Sequence, residues 1–99
     1  MKRRVTMAKG KFYQIYLSPM QGIDDENIEA KMNLALDWIK YGNNVWIIYS
    51  TATLEKLMTR YKSLVEPEGR LFICEINIVN RKGWMNKGFW DWLKKKRDK

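Results

Sequence analysis

The sequence predicts a small, single α/β domain, β-α-β-α-β-α, built on a three-stranded parallel sheet. Three apolar runs rich in β-branched and aromatic residues alternate with helical patterns. The link from the first helix to the second strand, Ile39 to Asn44, is short, which favours a parallel crossover. At 99 residues the chain can bury one core but has little area left for a deep cleft.

Lys11 to Leu17 alternates as a strand does, with Tyr13, Ile15 and Leu17 on one face and Phe12, Gln14 and Tyr16 on the other. Bulk on both faces marks a central strand. Ser18-Pro19 breaks it. Asp24, Asp25 and Glu26 open a helix predicted to run to Tyr41, with Gly42 as its stop. Ile28, Met32, Ala35, Leu36 and Ile39 form one apolar stripe on it, and Leu34, Trp38 and Tyr41 a second. A sector this wide predicts burial on two sides, against the last helix or another copy of the chain. Leu34, Trp38 and Tyr41 are therefore a candidate partner face.

Asn43-Asn44 turns the chain into Val45 to Tyr49, an apolar strand expected to be covered on both faces. Ser50, Thr51 or Thr53 caps the next helix, whose Leu54, Leu57, Met58, Tyr61, Leu64 and Val65 share one face. Glu66-Pro67-Glu68-Gly69 ends it. The third strand, Leu71 to Ile78, has Phe72, Cys74, Ile76 and Ile78 on its apolar side and leaves the core near Glu75 and Asn77. Asn80 to Gly83 is a basic turn. A last helix, Asn86 to Lys95, puts Phe89, Trp92 and Leu93 on a core-facing side and Trp90 elsewhere.

The ends are basic. Residues 1–10 have no periodicity and read as a flexible segment, and residues 94–99 as a basic tail. Met7 offers a second start. Without Lys2, Arg3 and Arg4 the net charge of +8 falls by three, to +5, and stays positive. Such a balance favours anionic partners. No apolar run is long enough for a membrane span, and no signal sequence is visible. The single cysteine, Cys74, reads as a small buried hydrophobe in a cytoplasmic, reducing setting.

Several chemistries are missing. With no histidine there is no Ser-His-Asp triad and no His-bearing metal site, and one cysteine excludes a zinc knuckle. No phosphate-binding glycine motif occurs. The candidate carboxylates Asp24, Asp25, Glu75 and Asp91 have no spacing that forces convergence. The reading is of a protein that is not an enzyme and carries neither cofactor nor metal.

What is present is a basic, tryptophan-rich end: Arg81, Lys82, Trp84, Lys87, Trp90, Lys94, Lys95, Lys96 and Arg97. Cations neutralise phosphates and flat rings stack on bases, a combination suited to nucleic acid. Trp90, which points away from the core-facing side, is the better candidate surface ring, and Trp84 beside Gly83 fits either core or surface.

Tyr61 to Leu93 resembles small CRISPR-associated adaptation-subunit-like proteins, including SinR-like ones. The matching residues are Arg70 to Ile76, Gly83-Trp84 and Phe89-Trp90-Asp91-Trp92-Leu93. The resemblance covers about a third of the chain. It implies a ferredoxin-like α+β fold, the alternative to the parallel sheet, and a homodimer that meets nucleic acid. The family's metal-binding aspartate is matched by Leu17 or Ser18, so the metal-dependent nuclease activity of relatives is expected to be absent. The family's extra strand before the one matching Val45 to Tyr49 is expected to be missing too.

The leading expectation is a non-catalytic protein that contacts DNA, RNA or a nucleic-acid-processing enzyme through its C-terminal helix. A phage-type inhibitor or adaptor docking on a host protein, for example a host nuclease, is the first alternative. A metal-dependent nuclease is the second.

Overall fold

Alternation of large apolar residues makes Lys11–Ser18 a strand, β1, and it lies inside the sheet. The computed structural model describes residues 9–97. The expected loose basic segment therefore falls largely outside the described residues, as do the last two positions of the basic tail. After β1 come α1 (Asp25–Met32), β2 (Asp37–Gly42), β3 (Val45–Ser50), α2 (Leu54–Val65), β4 (Arg70–Ile76) and α3 (Lys87–Lys94). The strands form one four-stranded sheet in the order β2-β3-β1-β4, every neighbouring pair antiparallel.

This overturns the three-stranded parallel sheet. The error lies between Asn33 and Gly42. The first helix stops at Met32, where Asn33 caps it by donating its backbone N–H to Glu29 O and Lys31 O. Asp37 to Gly42 then pairs with β3 through a tight turn at Asn43-Asn44. Ile39 sits opposite Ile47 and Trp38 opposite Ile48. Apolar residues that fit a helical stripe also fit a strand, and pairing along the outer edge of β3 decides between them. One added strand reverses the direction of all that follow, so β3 and β4 run against β1. The connectivity β-α-β-β-α-β, with α3 appended, is the split β-α-β arrangement. The strand expected to be missing before Val45 is present.

Helices α1 and α2 cover one face. Tyr13, Ile15 and Leu17 of β1 and Trp46 and Ile48 of β3 pack there against Ile28, Met32, Leu57, Tyr61 and Leu64. Asp24 opens α1 by accepting from Asn27 N at 3.0 Å, and Asn27 Oδ1 accepts from Asp24 N, a reciprocal cap. Thr53 opens α2 by accepting from Lys56 N at 3.1 Å. Each fully buried apolar side chain of α2 contributes about 1.5–3 kcal/mol.

The short α3 packs on the opposite face, where Phe89, Trp92 and Leu93 close over Ile47, Phe12, Ile39 and Ile76. The sheet is thus covered over most of one side and over a smaller part of the other.

Candidate nucleic-acid interface

The site forms where β4 ends. Asn77 begins the exit by accepting from Val79 N at 2.8 Å, and Arg81 donates to Ile78 O at 3.1 Å. The loop then swings over the partly covered face. Asn86 starts α3 by accepting from Phe89 N at 2.9 Å. Between loop, helix and sheet lies a groove of about 410 Å³. Gln14, Tyr41 and Ile47 floor it, Phe89 and Trp90 form a wall, and Arg81, Lys82 and Trp84 contribute from the loop. Burial pushes the Tyr41 phenol up, and its neutral hydroxyl donates to Gln14 Oε1.

The predicted site residues divide into two sets. Trp84 is 99% exposed, and Arg81, Lys82, Lys94 and Lys96 are exposed with no ion-pair partner among the described residues. Lys87 is exposed but bonded to Asp91 at 2.7 Å, one helical turn on. That contact raises the lysine's pKa and lowers the aspartate's.

The second set is structural. Trp90 is half-buried, packed edge-on to Phe89 with ring centroids 5.5 Å apart, and Gly83 passes beside it. Lys95 reaches Asp37 of β2 at 3.0 Å. The Arg97 side chain is 9% exposed. It bonds Asp37 at 3.2 Å, donates to Trp92 O, and lies 4.3 Å from the Trp92 ring centroid and 5.2 Å from that of Phe12. Burial raises the pKa of Asp37, but Lys95, the Trp92 indole and the Trp38 backbone N–H outweigh it, leaving the carboxyl below its ordinary value. The buried Trp92 Nε1 closes no hydrogen bond of ordinary geometry among the described residues.

Leu34, Trp38 and Tyr41 do not form one face. Leu34 is exposed in the α1–β2 link. Trp38 packs toward α1 and donates to Asn33 Oδ1 at 2.8 Å, while Tyr41, three residues on, lies on the opposite side of the sheet. Helical spacing brought the three together; strand alternation separates them. Cys74 is exposed rather than buried, because β4 is an edge strand and α3 stops short of it.

The four candidate carboxylates are engaged locally. Asp24 caps α1, Asp25 lies in its first turn, Glu75 approaches Lys11 at 3.9 Å, and Asp91 holds Lys87. Among the described residues no three His, Cys, Asp or Glu side chains gather as a metal site would require. Also among them, no helix is long and apolar enough to cross a membrane.

Sequence reasoning missed Tyr16 and Phe72, both exposed on the partly covered face. Alternation placed each on its face of the strand but could not reveal how far a helix of eight residues would reach. No protein-family model matches the chain, and no curated protein or solved structure is significantly similar to it.

Proposed function

We propose that this protein is a non-catalytic nucleic-acid-binding domain that uses the loop and helix after β4. The observation that carries the reading is Trp84: an indole almost wholly in solvent, beside an open groove, next to Arg81 and Lys82, cations with no ion-pair partner among the described residues. Solvation of so large an apolar ring is unfavourable, and a base stacked on it would relieve that cost. Lys94 and Lys96 at the end of α3 add charge. The C-terminal resemblance to CRISPR-associated adaptation-subunit-like proteins agrees with a role in nucleic-acid transactions. The exposed free thiol of Cys74 agrees with a reducing, cytoplasmic setting.

Fluorescence anisotropy with short DNA and RNA oligonucleotides over a salt series tests this. If four cations meet phosphates, log affinity on a single strand falls with log salt at a slope of about −3. Arg81→Glu with Lys82→Glu should reduce the slope and the affinity together. Salt-independent binding, or none at low salt, rejects the reading.

A protein-docking adaptor is the second reading. Exposed Leu34 and Leu36, two residues apart in the α1–β2 link and remote from the basic groove in sequence, favour it. Recovery from native lysate, with and without nuclease treatment, separates the two. A partner retained after nuclease and lost with Leu34→Ser and Leu36→Ser supports the adaptor.

A further inference from the structure

The face that α3 covers continues past the helix. Along β1 and β4 the facing pairs are Phe12 with Ile76, Gln14 with Cys74, Tyr16 with Phe72, and Ser18 with Arg70. Successive pairs on one face are about 6.6 Å apart. Only the Phe12–Ile76 end lies in the cluster built around α3. The helix has eight residues and spans about 12 Å, too short to roof the whole face. Tyr16 and Phe72, directly opposite each other, are left 40% and 59% exposed.

This bare pair is continuous with the groove. Gln14 floors the groove and belongs to the pair next to Tyr16 and Phe72. Arg70 is exposed at the far end, and Arg81 and Lys82 stand at the near end. None of the uncovered strand positions Gln14, Tyr16, Ser18, Val45, Arg70 and Phe72 carries a carboxylate. Glu75, the nearest acid on β4, faces the other layer beside Tyr13. The surface is therefore aromatic in the middle and positive at both ends.

We infer that single-stranded nucleic acid runs from the Trp84 groove across the sheet, stacking bases on Tyr16 and Phe72 and directing phosphates to Arg70 at one end and Arg81 and Lys82 at the other. The inference rests on the nucleic-acid reading above and adds its path and its strandedness. Exposed rings on a four-stranded sheet can take splayed bases, whereas a duplex keeps its base faces stacked inside. The charge complementarity selects a polyanion over an apolar peptide.

Cys74 supplies the footprint. It is the only cysteine in the chain, is exposed, and lies between the Tyr16–Phe72 pair and the α3-covered end. The full chain is reacted with a maleimide alone, with an unstructured oligothymidylate of about twelve nucleotides, and with a duplex of the same length. Affinity for the single strand is measured for the wild type and for Tyr16→Ala, Phe72→Ala and Tyr16→Phe. The expected result is slower labelling with the single strand only. Each alanine variant should lose about 5- to 100-fold in affinity, while Tyr16→Phe keeps wild-type binding. Salt-sensitive binding that depends on Trp84 but leaves Cys74 reactive and ignores Tyr16 and Phe72 overturns the sheet path and spares the broader function. Equal protection by duplex overturns the strandedness. Protection that grows with protein concentration alone assigns the face to a second copy and overturns the inference. No binding of either nucleic acid overturns both readings.

Discussion

Arg97 is a cation whose role reverses once its surroundings are known. In the sequence it ends a run of positive charge; in the fold it lies against three aromatic rings and a carboxylate. A guanidinium can stack and donate in plane at once, and an ammonium cannot. Arg97→Lys should therefore destabilise the protein by about 1 kcal/mol, and Arg97→Ala by about 1–3 kcal/mol. Chemical denaturation reads both, and unchanged oligonucleotide binding by the folded variants would confirm the structural role. Trp84 should behave oppositely. Trp84→Ala should leave thermal stability unchanged, because nothing packs on a ring this exposed, and weaken oligonucleotide binding by about 1–3 kcal/mol. A fall in stability without a fall in binding refutes that assignment. Gly69 is a third case. A Cβ there would press on the Ser18 carbonyl and the Val65 backbone, which cannot rotate away as a side chain can. Gly69→Ala should cost about 1–3 kcal/mol.

At the scale of elements, the C-terminal segment and β2 hold each other through Asp37. The carboxylate takes Lys95 at 3.0 Å and Arg97 at 3.2 Å. Its folded pKa lies below the ordinary 3.8, so this docking contributes fully above that value and is lost as pH falls through the depressed pKa. Acid should release the segment in that window, seen as a change in Trp92 environment by near-UV circular dichroism. In Asp37→Asn the acid-dependent component should vanish; an identical acid profile would show that another carboxylate controls it. This contact also marks the limit of what could be read beforehand. β1, β3, α2, β4 and α3 were legible because their periods are unambiguous and their caps and turns are local. Phe89, Trp92 and Leu93 were legible as core for the same reason. β2 was not, because Trp38, Ile39 and Tyr41 satisfy helical and strand spacing equally over so short a run. The partner of Asp37 was not legible either, since sixty positions separate it from Arg97. For the site, the basic turn of Arg81 and Lys82 was read from sequence, whereas the exposure of Trp84 rather than Trp90 depends on how α3 docks, and the bare Tyr16–Phe72 pair on how much sheet α3 leaves open.

The whole molecule carries its charge unevenly, and that gives opposite salt dependences for folding and for binding. At a net +8 the folded chain repels itself, and ions screen that repulsion. Several acids are already paired: Asp37 with Lys95 and Arg97, Asp91 with Lys87, Glu66 with Lys62. Among the described residues, Arg81, Lys82, Lys94 and Lys96 are cations with no ion-pair partner. Adding salt should raise Tm of the free protein modestly, because screening acts on the compact state more than on the expanded one. The same salt should weaken a bound polyanion, because its affinity draws on the release of counterions. Since a ligand of the native state raises Tm by mass action, the Tm increment produced by an oligonucleotide should shrink along the series in which the free protein becomes more stable. Thermal melts of free and oligonucleotide-loaded protein, run in parallel from low to high salt, would give two curves that converge. Parallel curves would mean that the ligand is held by contacts other than charge. A free-protein Tm that falls with salt would mean that its surface ion pairs outweigh the excess of positive charge.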